Sequence, residues 1–148
     1  MENIFENLRP DNYEGKSNPD FDYNCIAWAI GRMDKPWWPS KTGGYHWPKT
    51  LPREELGSET LKNFIRAFKR EGFKVCGGKT YSLEKGFEKV VIFVKGQQNP
   101  THAARQLSSG MWTSKIGDEE DIEHVSPSVL EGSIYGKVAI VMKRPVRK

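Results

Sequence analysis

The longest uninterrupted apolar run in the chain is Cys25–Ile30, reading Cys-Ile-Ala-Trp-Ala-Ile. Asn24 before it carries a side-chain oxygen that can cap a helix start, and Gly31 after it suits a left-handed stop. A block this short, apolar on nearly every side and punctuated at both ends, predicts a buried helix on which the other elements must pack. It is far below the roughly 20 residues that a membrane span needs. The runs at 90–94 and 138–142 are shorter still. The opening Met-Glu-Asn-Ile-Phe-Glu-Asn has neither the positive nor the apolar region of a signal peptide. These features lead to the expectation of a cytoplasmic protein with no membrane partner and with Cys25 and Cys76 as reduced thiols.

The 148 residues suit a single domain spanning 1–148, with an N-terminal arm at 1–20 and a basic tail at 143–148. A content of 36% hydrophobic and 28% charged residues excludes a disordered chain and a coiled coil. The net charge of +4 invites a nucleic-acid partner. Its location argues against one: Lys143, Arg144, Arg147 and Lys148 close the chain, which leaves residues 1–142 balanced at 19 basic against 19 acidic. A charged tail of this kind reads as a solvated end.

Residues 34–57 hold Pro36, Pro39, Pro48 and Pro52, with Trp37, Trp38, Tyr45 and Trp47 between them. Prolines at this density forbid a continuous helix or a central strand. A helix is expected over 58–71, with Ser58 as its cap and Leu61, Phe64, Ile65 and Phe68 as one buried stripe. Beyond Gly72 the period changes. Short strands are expected at 73–76 and 89–95, then a loop at 97–101. A hairpin of 102–107 with 111–116 follows around Ser108-Ser109-Gly110. The acidic stretch 117–128 reads as an excursion with a helical turn near 119–124, and a last strand covers 134–143. Helices first and strands later predict an α+β fold, with N-terminal helices packed on a C-terminal antiparallel sheet.

Cys25 stands where a helix should begin. Unpaired N–H groups and the helix dipole there favour a thiolate, which is the nucleophilic form, and can stabilise an adjacent oxyanion. Such a cysteine needs a base, normally a histidine. His102, opening a strand after Asn99-Pro100-Thr101, is the candidate. The bland alternatives are a buried core cysteine and an ordinary strand-edge histidine. In the hairpin, a two-residue turn sets His102 opposite Gly117 and a three-residue turn sets it opposite Ile116. Either register brings 114–118 alongside, so Asp118 or Ser114 could orient the imidazole.

The string Phe21-Asp22-Tyr23-Asn24-Cys25-Ile26-Ala27-Trp28-Ala29 resembles the nucleophile helix of papain-like cysteine hydrolases, in particular the NlpC-type branch. Thr101-His102-Ala103-Ala104-Arg105-Gln106 resembles that group's histidine strand. The chain is also similar to a family of small, uncharacterised bacterial and phage-type proteins with a Cys…His-Ala-Ala…Trp-Thr-Ser-Lys…Gly pattern, here ending in Trp112-Thr113-Ser114-Lys115-Ile116-Gly117. The first resemblance implies a papain-like α+β fold, Cys25 as nucleophile and His102 as general base. It also implies cleavage or transfer of an amide bond in a peptide, peptidoglycan-like or protein substrate.

Several other residues could line such a site. Tyr23 could donate to an oxyanion or anchor the arm. Trp28, three residues beyond Cys25, falls near the same helix face. Trp37, Trp38 and Trp47 could form a stacking platform for a peptide or glycan, or could staple their loop to the body. Lys115 could hold an acidic substrate group. An alternative reading is a non-enzymatic interaction module that binds a protein or glycan through the 36–52 loop. Neither a metal nor a cofactor is expected. His46, His102, His124, Cys25 and Cys76 show no ligand spacing, and the paired glycines are isolated.

Overall fold

The β-branched segment that follows the second helix forms the middle of the fold. The structure is a computed structural model that describes residues 5–16, 24–31, 35–40, 45–53, 59–78, 80–96, 98–116 and 121–146. In chain order its elements are β1 (Tyr13–Gly15), α1 (Cys25–Ile30), α2 (Leu61–Arg70), β2 (Lys74–Val75) and β3 (Phe87–Lys95). Then come β4 (Asn99–Gln106), β5 (Trp112–Lys115), β6 (Asp121–His124), a 3₁₀ turn (Pro127–Leu130) and β7 (Lys137–Pro145). Among the described residues the strands form one sheet in the order β1-β6-β5-β4-β3-β7-β2, with antiparallel neighbours throughout. The domain is therefore α+β, dominated by an antiparallel sheet with few helices.

β3 takes its place beside β4 and β7 because its apolar run leaves no face to show water. Side chains alternate across a strand, and both faces here are covered. Val90 and Ile92, with Ala103 of β4 and Met142 of β7, point into a core built with α1, α2 and the Trp/Pro loop. Val91 and Phe93, with Ala104, Val138 and Val141, point into a second core closed by Phe5, Leu8, Val129 and Leu130. This division into a helix face and a far face governs where every candidate site residue can reach.

The structure revises several local expectations. Part of the N-terminal arm is strand β1, paired with β6 through Tyr13 and His124. The stretch expected to hold a helical turn near 119–124 instead supplies β6: Asp121, Ile122 and His124 are buried, which a solvent-facing acidic turn would not allow. The second helix is capped by Thr60, whose hydroxyl accepts from the Asn63 N–H; Ser58 lies outside the described residues.

The basic tail starts later than its charge suggested, since Lys143, Arg144 and Pro145 belong to β7. Arg144 donates to the Ile30 carbonyl at the end of α1 (2.8 Å) and to the Glu71 carbonyl after α2 (2.9 Å). It also pairs with Glu88 and lies 4.3 Å from the Phe73 ring centre. One guanidinium thus satisfies orphan carbonyls at the C-termini of both helices and fastens them to the sheet.

Candidate functional site around Cys25

The start of α1 is held by one side chain. Asn24 Oδ1 accepts from the N–H groups of Ala27 (3.0 Å) and Trp37 (3.0 Å), while its Nδ2 donates to the Trp37 carbonyl (2.8 Å). The residue that caps the helix therefore also fixes the Trp/Pro loop beside it. Gly31 ends the helix at φ 89, as the left-handed stop requires. Cys25 is the first helical residue, half-buried, on the side that packs against β4 and β5.

Burial dominates the chemistry of its thiol and pushes it up to about 11. Acting against burial are the backbone N–H groups of Ala103, Ile26 and Cys25 itself, and the positive charge of Lys115. In the resting state the sulfur is protonated at neutral pH, inside a set of donors that favour the thiolate once it forms.

Lys115 reaches this site because of strand alternation. Thr113 faces α1, where its hydroxyl receives the Trp28 indole N–H (3.2 Å) and in turn donates to the Ile122 carbonyl (3.1 Å). Two residues further along β5, Lys115 shares that face. Its cross-strand partner is Asp121, and both are almost wholly buried. Arg105 completes the group, with its guanidinium carbon 4.7 Å from the Trp28 ring centre. Cys25, Trp28 and Lys115, three of the expected site residues, therefore come together on the helix face.

His102 does not join them. It alternates with Ala103, which lies in the core beneath α1, and it pairs with Phe93 of the opposite core. Its ring stacks on Tyr135 at 4.1 Å with the planes 2° apart, and meets Phe93 at 5.3 Å. Neither ring nitrogen has a hydrogen-bond partner, and the residue is fully buried. The expected pairing of Cys25 with His102 is therefore corrected: the sheet stands between the two side chains. Ser114 also faces away from Cys25. It is opposite Ile122 in the ladder, and its hydroxyl bonds His124 Nε2 at 2.9 Å, while His124 Nδ1 meets the Ser126 carbonyl at 2.9 Å. The three-residue turn is the register adopted, with Arg105 opposite Thr113 and Gln106 opposite Trp112.

The loop tryptophans divide. Trp37 and Trp47 are buried and cannot present a platform, whereas Trp38 is half-buried. Trp47 and Trp38 pack on Phe64 of α2 at 4.9 and 5.2 Å. A bridge between Trp37 and His46 closes the loop on itself. Tyr23 and Asp118 lie outside the described residues. Asp121 is the member of the Cys25 site that the sequence pattern did not mark. Asp121 stood in a segment read as a turn, and the signal available was the apolar Ile122 between two acids.

Among the described residues, no group of three His, Cys, Asp or Glu side chains could hold a metal ion, and no helix is long and apolar enough to cross a membrane. No curated protein and no solved structure matches the chain. A family model described as a domain of unknown function, DUF7689, matches residues 14–143, and the chain belongs to that family.

Proposed function

We propose that this domain performs acyl transfer through Cys25 on an amide or ester bond, with Lys115 rather than His102 as the charged group beside the sulfur. The observation that carries this reading is the convergence on one thiol of the Ala103 and Ile26 N–H groups and the Lys115 charge. In this scheme the Cys25 sulfur bonds to the carbonyl carbon, the thiol proton leaves with the departing amine, and water then resolves the thioester. The N–H groups that favour a thiolate would also meet the oxyanion of the tetrahedral intermediate. A cysteine that leads a helix packed on an antiparallel sheet supports this reading and is a feature shared with the papain-like, NlpC-like plan, with a lysine charge in place of a histidine base beside the sulfur. In this scheme the half-buried Trp28 and Trp38 would contact a peptide, peptidoglycan-like or protein substrate.

An activated ester tests the reading without knowledge of the substrate. p-Nitrophenyl acetate is expected to acylate Cys25 with a burst of nitrophenolate of about one equivalent per chain. The burst is expected to vanish in Cys25→Ser and to persist in Cys76→Ser. A burst that persists in Cys25→Ser, or its absence from the unaltered chain, would remove the proposal.

A further inference from the structure

A polar cavity lies toward the β2 end of the sheet, on the far face. The ladder aligns Lys89 of β3 with Lys143 of β7, and Lys143 with Lys74 of β2. Three lysines on adjacent strands thus stand side by side. Like charges directly opposite one another destabilise a sheet, so a row of three is a cost that needs an explanation. All three line a cavity of about 350 Å³, together with Gly77, Thr80 and Glu84.

Lys89 is the informative member. It is 2% exposed. Its ammonium donates to the carbonyls of Thr80 (3.1 Å) and Ser82 (3.0 Å). An ammonium has three donors, so one remains for a ligand in the cavity. The carboxylate in the lining, Glu84, pairs with Lys143 at 2.5 Å rather than with Lys89. A buried cation is retained at a cost unless something of opposite charge meets it.

We propose that this cavity binds a phosphoryl group, carried on a small ester or present as free phosphate, whose oxygens meet Lys74, Lys89 and Lys143. Three cations and one carboxylate leave the lining with two positive charges, which match a phosphate dianion better than a monocarboxylate. The site is separate from Cys25 and does not depend on its chemistry. Glu84 acts in it as a built-in competitor, since it occupies the Lys143 ammonium that a ligand would use.

The test is a titration of the full chain, followed through the backbone amide resonances of Gly77, Lys89 and Lys143. The arms are inorganic phosphate, glycerol phosphate and acetate, with chloride at matched ionic strength as the control. Both phosphates are expected to shift these resonances saturably. Tighter binding of the ester identifies a phosphorylated small molecule, and equal binding identifies free phosphate. Glu84→Gln is expected to tighten binding several-fold, and Lys89→Met to weaken it about tenfold or more. Because Glu84 is partly exposed, its substitution keeps the test usable even if Lys89→Met does not fold. Shifts that fail to saturate, that chloride or acetate reproduces, or that Glu84→Gln leaves unchanged would overturn the assignment.

Discussion

Lowering the pH from 7 to 4.5 is expected to cost the folded chain about 5 kcal/mol, shared between two histidines buried on the far face of the sheet. Burial holds His124 down from its ordinary 6.5 to about 4, against the Ser126 carbonyl, which favours the charged ring. Burial likewise holds His102 well below that ordinary value, and the neighbouring His124 adds to the effect. Both rings are neutral in the folded chain, while the unfolded chain takes up protons near pH 6.5. The stability is therefore whole above pH 6.5 and is lost as the pH falls toward 4. Urea midpoints at pH 7 and pH 4.5 measure it. His124→Gln, which keeps a polar group near Ser114 and Ser126, is expected to remove about half of the dependence and leave the share of His102. A parent chain equally stable at both pH values would contradict the placement of these rings.

Replacing Trp47 by alanine is expected to cost about 3–5 kcal/mol, a large share of the stability of a domain this size. The indole is fully buried and packs on Phe64, while Arg53 reaches the Trp47 carbonyl. Its removal would unpin the Trp/Pro loop from α2 and leave a cavity that the neighbours cannot fill. Trp47→Phe is expected to cost less, about 1–2 kcal/mol, because the indole N–H has no hydrogen-bond partner to lose. Thermal or urea unfolding of the two variants separates a staple from a platform. If Trp47 were a binding surface, alanine would leave stability nearly unchanged.

What the sequence made legible was what short-range patterning controls. Asn24, the apolar block and Gly31 gave α1 with its caps. The stripe at Leu61, Phe64 and Phe68 gave α2, and the β-branched run gave β3. The face taken by His102 was not legible, because the side-chain period of a strand is two and a shift of one residue exchanges the faces. His102 is followed by Ala103 and Ala104, which fit either core equally well. β6 was hidden for a related reason: Asp121 and His124 are buried polar residues, and burial of such groups depends on partners brought from β5 and β1. Lys115 was legible as a site residue, but its part as the cation beside Cys25 emerges only from the three-strand register of β4, β5 and β6.

In the proposed chemistry Lys115, and not His102, is the group that assists Cys25. The most direct test is the rate of iodoacetamide alkylation at pH 9, read by peptide mass for each cysteine. Cys76 in the same chain serves as the internal reference for folding. Lys115→Met is expected to slow Cys25 several-fold, since the nearby positive charge favours the thiolate. His102→Phe, which preserves the stack on Tyr135, is expected to leave the Cys25 rate within about twofold of the parent, its ring being across the sheet from the sulfur. A Cys25 rate that falls with His102→Phe and holds with Lys115→Met would contradict the account.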